Sequence, residues 1–182
     1  ACVRLNNGVK HAFFILDEMD MASDQMSVAG IFVHEVGVHM GMQSLMGVKA
    51  TSKVANTIRS WASRNDGSIE QQVALEVEAR IDYIQETHKA RGEALMTQSE
   101  VDSGTVAYAV QFGVQNHGIN PIASKSGPKG SLRSIIKTAY NTLKNFMDSL
   151  TGGNAKSITI ENLVDAAYGA ARLEINKTYH VS

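Results

Sequence analysis

A chain of 182 residues with 43% hydrophobic residues, 19% charged residues and only 2 prolines can bury a core and is neither disordered nor fibrous. Its formal net charge of −1 excludes a global field for nucleic acid, and its single cysteine, Cys2, excludes an internal disulfide. The most hydrophobic stretch, Val28 to Met46, is interrupted by His34, Glu35, His39, Gln43 and Ser44, which excludes a membrane span.

The first predicted element is a β-hairpin. Val3 to Leu5 and Val9 to Leu16 are rich in β-branched and aromatic residues, and Asn6-Asn7-Gly8 between them tolerates positive φ. Asp17 to Ser23 is a polar connection. Ser23 or Asp24 caps a helix that runs to Met46, with Gly47 as its stop. Val54, Ile58 and Trp61 then place a shorter helix over Ser52 to Arg64. Ser68 with Gln71 is a capping-box signature for a third helix reaching about Arg91, and Val101, Thr105, Tyr108 and Phe112 mark a fourth over Glu100 to Asn116. Asn120 to Gly130 reads as a loop, Ser131 to Leu150 as a helix, and Thr159 as the cap of a last helix with Ile158 and Leu163 at staple positions. The expected class is α+β, mainly helical with a small N-terminal β-hairpin.

Charge is uneven along the chain. Residues 1–118 hold 9 basic and 14 acidic side chains, whereas residues 119–182 hold 8 and 4. The C-terminal lysines read as a solvated helix face, and nucleic acid is not the expected partner.

The chemistry concentrates in His34-Glu35-Val36-Gly37-Val38-His39, two imidazoles and a carboxylate inside an apolar helix. The zincin pattern H-E-x-x-H puts histidines at i and i+4 on one face to chelate zinc, while the glutamate takes the proton of the water that attacks a carbonyl. Here the spacing is i to i+5, and on an ideal α-helix the two imidazoles point about 140° apart. An extra residue accommodated as a π-bulge restores the common face, and Gly37 is its expected place. Burying two histidines and a glutamate among Ile31, Phe32, Val33, Val36 and Met40 without an ion is costly, which favours a metal site over a pair of satisfied core histidines.

A catalytic zinc site takes a third protein ligand. The helix after Ser68 offers Glu76 and Glu78, about 200° apart on a helical wheel, so only one can face the metal. Small Ala79 beside Glu76 allows close approach, so Glu76 is preferred and Glu78 is the alternative. Tyr83, Tyr108, His117 and Tyr168 are open candidates for stabilising an oxyanion. His11, His88 and His180 have no partner at ligand spacing, and Met26, Met40, Met42 and Met46 read as core filler.

The hexapeptide His34 to His39 resembles the H-E-x-x-x-H zincin motif of the dipeptidyl peptidase III family, a gluzincin-like arrangement completed by a downstream glutamate with alanine three residues on, matched here by Glu76 and Ala79. Leu75 and Arg80 stand where that family has acidic residues. The chain is also similar to the zincin-like domain of large polyvalent proteins of bacteriophages and mobile elements: a strand at His11 to Leu16, the site helix followed by Gly41, a Glu-x-x-Ala-Arg helix, and a C-terminal helix pair. These resemblances imply a zinc metallopeptidase that hydrolyses peptide bonds of a peptide or protein substrate, with Zn2+ on His34, His39 and Glu76 and with Glu35 catalytic. They further imply one zincin-like domain over 1–182, with the hairpin and metal-site helices in 1–118 and basic helices in 119–182. The opening at Ala1 fits a segment of a longer polyprotein, located in a virion or in the host bacterial cytoplasm after injection, with other virion proteins as partners. The competing class is a non-catalytic virion structural or interaction module that keeps the fold.

Overall fold

The computed structural model describes the backbone of residues 2–6, 9–13, 25–119, 140–141, 144–150, 152 and 158–179, and the side chains of residues 28–119, 140–141, 144–150, 152 and 158–174. Over these residues the chain is mainly helical. The connection Asp17 to Ser23, the loop Asn120 to Gly130, most of the helix expected from Ser131, and His180 lie outside the described residues.

Strands β1 (Cys2–Asn6) and β2 (Val9–Phe13) pair antiparallel, with Asn6 opposite Val9 and Cys2 opposite Phe13. Among the described side chains the buried hydrophobic cluster comes from helices and from Ile119 and Ile158 at helix ends. The α+β class expected from the hairpin therefore gives way to a mainly helical architecture, because amphipathic helices supply the apolar surface that is buried.

Helix α1 (Gln25–Phe32) continues into a π-helix (Val33–Met42) and then into α2 (Gln43–Ala62). The expected stop at Gly47 is where the helix breaks, at φ 69° and ψ 173°, a conformation open essentially to glycine alone, so α2 is two helical stretches meeting at this residue. Thr51 Oγ1 donates to the Gly47 carbonyl at 2.9 Å, satisfying a group the break exposes, and a second helical stretch follows as expected, beginning a few residues before Ser52.

Helix α3 (Ile69–Ala90) starts as its capping signature requires, with the Gln71 amide donating to Ser68 Oγ at 3.2 Å. Helix α4 (Gln98–Gln115) starts two residues before the expected Glu100, because Thr97 and Glu100 form a full capping box. Helix α5 (Ile160–Tyr179) is capped by Thr159, whose Oγ1 accepts from the Asn162 amide at 3.3 Å while Asn162 Oδ1 accepts from the Thr159 amide at 3.2 Å. Residues 144–150 are helical, with Phe146 and Leu150 buried.

The π-helix lies at the centre. Helices α1, α2, α4 and α5 and both strands pack on it, α5 most extensively. Gly37 and Gly41 make that contact possible, since a Cβ at Gly37 would stand 2.5 Å from the Ala167 carbonyl oxygen and one at Gly41 would stand 2.7 Å from Ala170 Cβ. Helix α3 packs on α2 and α4 instead. Helices α2 and α4 are pinned by buried Asp102, which accepts from Arg59 Nη2 at 2.6 Å, Ser52 Oγ at 2.5 Å and Gln98 Nε2 at 2.8 Å. Burial pushes the Asp102 carboxyl up, but these donors outweigh it and hold the group below the usual range, so it stays ionised. No helix among the described residues is long and apolar enough to cross a membrane.

Candidate metal centre

The π-register runs through all of Val33–Met42 and is not a single bulge at Gly37. Bonding from i to i+5 stacks residues five apart, and it brings His34 Nε2 to within 3.2 Å of His39 Nε2. The rings meet edge to face, with centroids 4.9 Å apart and planes at 67°. His34, Glu35 and His39 each offer a ligand atom, and these atoms lie within 4.8 Å of one another.

His34 and Glu35 are each 7% exposed, and their ionisation is shaped by that burial. Burial first, and the neighbouring His39 charge second, push the His34 imidazole from 6.5 to about 3, while Gln111 and the Ala107 backbone oppose the shift more weakly. The ring is therefore neutral at physiological pH, as a metal ligand must be. Burial raises the Glu35 carboxyl above its ordinary 4.5, which moves it toward the range where a carboxylate exchanges protons near neutrality.

These shifts fix a pH dependence for the metal-free protein. His34 is neutral when folded and protonates near 6.5 when unfolded, so its contribution to stability is complete above about pH 6.5 and is lost progressively as pH falls toward 3. Glu35 runs the other way, since its raised folded value gains stability as pH falls through it. Denaturant titrations with chelator present are expected to show stability falling below pH 6.5 in the wild type and a flatter profile in His34→Gln.

Partners hold both rings. Gln43 Oε1 lies 3.3 Å from His39 Nδ1, Gln43 Nε2 donates a short bond to Ser103 Oγ, and Ser103 Oγ is 3.4 Å from the same His39 nitrogen. Tyr108 packs edge-on against His34 at 4.8 Å, and Phe112 stacks on Tyr108 at 5.7 Å. A cleft of about 340 Å³ opens between α2 and α4, with Gln43, Ser44, Thr51, Ser52, Ser99 and Ser103 among its lining residues.

The residues fit a zinc ion. Two nitrogens each about 2.0–2.1 Å from zinc at the tetrahedral angle lie about 3.3–3.4 Å apart, close to the 3.2 Å seen here.

Glu76, the preferred third ligand, is not in this group. Its Oε2 accepts from Asn116 Nδ2 at 2.9 Å and its Oε1 lies 3.3 Å from His117 Nε2. The physical reason is the packing order: α4, not α3, lies against the π-helix, so a side chain on α3 meets α4 first. Glu78 is exposed and lines a small cavity of about 170 Å³ with Ile58, Arg59 and Asp82. Of the four oxyanion candidates only Tyr108 touches the site. Tyr83 is 60% exposed, His117 faces Glu76, and Tyr168 accepts from Arg172 Nη2 at 3.2 Å. His88 bonds the Ala94 carbonyl, and Met42 and Met46 are core residues.

Gln43 and Ser103 escaped the reading of the sequence. The usable signal for Gln43 was its position four residues after His39, on the same face. Ser103 carried none. No protein-family model, no curated protein and no solved structure matches the chain.

Proposed function

We propose that this protein is a zincin-like metallopeptidase. The observation that carries this reading is the π-register, which sets two buried imidazole nitrogens at chelating distance with a carboxylate of raised proton affinity beside them. His34 and His39 would hold a zinc ion, which would supply Lewis-acid activation of water and of a peptide carbonyl. Glu35 accepts the proton released as water adds and passes it to the leaving amine. Glu76 is engaged by Asn116 and His117 and is not part of the His34, Glu35 and His39 group. The hairpin next to the π-helix offers strand edges with which an extended peptide can pair, and that arrangement would restore functional meaning to the small β element of a zincin.

Glu35→Gln tests this reading. The variant is expected to bind zinc as the wild type does and to hydrolyse an unfolded protein substrate about 100- to 10,000-fold more slowly. Loss of zinc from this variant would make Glu35 a ligand and not a base.

One observation favours a non-catalytic binding module. The Arg80 guanidinium lies 5.4 Å over the Tyr108 ring, which also packs edge-on against His34, so a cation stands one ring away from the centre. Zinc binding without hydrolysis in the wild type decides for that reading.

A further inference from the structure

The two histidines are held differently. His34 is held mainly by packing, with Tyr108 against its ring and Gln111 and the Ala107 backbone as its weaker polar contacts. His39 is less buried and is addressed by polar groups: Gln43 Oε1 at 3.3 Å and Ser103 Oγ at 3.4 Å, both on Nδ1. A neutral imidazole carries one proton, and the nitrogen without it is the one that can bind a metal. The Gln43 amide bridges the two groups, its nitrogen toward Ser103 Oγ and its oxygen toward His39 Nδ1.

We propose that Gln43, held by Ser103, is the positioning residue of this site: it keeps the His39 proton on Nδ1 and so leaves Nε2 bare toward His34. The role of this tautomer in metal binding rests on the zinc reading above, whereas the tautomer itself does not. The link is also exposed to ligands, because Gln43 and Ser103 both line the α2/α4 cleft, and a polar group entering it meets the pair that orients His39. The same open space lets other side chains replace Gln43 without overpacking the core.

The experiment uses 15N-labelled imidazoles in the full chain without metal, together with zinc titration of each variant. The wild type is expected to show His39 as the Nδ1–H tautomer. In Gln43→Leu the proton shifts toward Nε2 and zinc affinity falls about 10- to 100-fold, the usual cost of losing such a support. Gln43→Glu, which keeps an acceptor, retains both the tautomer and the affinity. Because Ser103 Oγ can accept from the same nitrogen, Gln43→Leu combined with Ser103→Ala closes that route and gives the largest effect. An unchanged tautomer in the double variant overturns the proposal, and so does unchanged zinc affinity in a wild type and double variant that both bind zinc. A tautomer change in the variants together with a wild type that binds no zinc supports the positioning role and refutes the metallopeptidase reading alone.

Discussion

Elemental analysis of the purified protein is expected to find close to one zinc per chain, and His34→Ala and His39→Ala are each expected to lower zinc affinity by more than about 100-fold, beyond the cost of losing a supporting residue. Each imidazole supplies one of only two nitrogen ligands at 3.2 Å from one another, so a single replacement leaves a lone ligand and no chelate. Glu76→Gln is expected to keep its zinc, because that carboxylate is engaged by Asn116 and His117. Zinc loss in Glu76→Gln would place the glutamate in the coordination sphere, as the resemblance to dipeptidyl peptidase III implies. A metal-free protein of full stability, unchanged by added zinc, would reduce the histidines to a hydrogen-bonded core pair.

Gly37→Ala is expected to destabilise the fold by about 1–3 kcal/mol, the usual range for an overpacked contact, and to lower the melting temperature by several degrees. The added Cβ meets a backbone oxygen 2.5 Å away in α5, and backbone cannot rotate aside as a side chain can. The strain falls on the seam that borders the metal ligands, so zinc affinity should fall with stability. Gly47→Ala separates the two effects. Its Cβ would enter open space, so only the φ of 69° is strained, and zinc binding should survive. Thermal melts and zinc titrations of both variants check this, and a Gly37→Ala protein with wild-type melting and affinity would show that the seam is looser than its geometry states.

The π-register was legible because two imidazoles five residues apart in an apolar helix have few other ways of sharing a face, and the capping chemistry of Ser68 and Thr159 located two helix starts. The role of Gly37 was only half legible. A glycine in the motif marked the right place, but its use is close approach to Ala167, which comes from a helix about 130 residues on and leaves no local trace. Glu76 failed for a related reason. Helical periodicity orders side chains around one helix, yet it does not say which neighbour that helix packs on, and α4 intervenes. The hairpin residues carried clear β preference, but preference does not reveal whether a ribbon builds the core or adjoins it.

The seam between α5 and the π-helix also sets an order of events in synthesis. The residues that pair the histidines leave the ribosome early, but Ala167 and Ala170 follow more than a hundred residues later, so the closing contact is strongly non-local. Until it forms, the segment from Val33 to Met42 lacks its most extensive packing partner, and the ordinary α-register, with the imidazoles splayed about 140° apart, competes freely. A nascent or truncated chain ending before Ile160 therefore carries the whole metal motif without the means to close it. Pairing of the two imidazoles thus becomes a late event, available only once α5 has joined the fold.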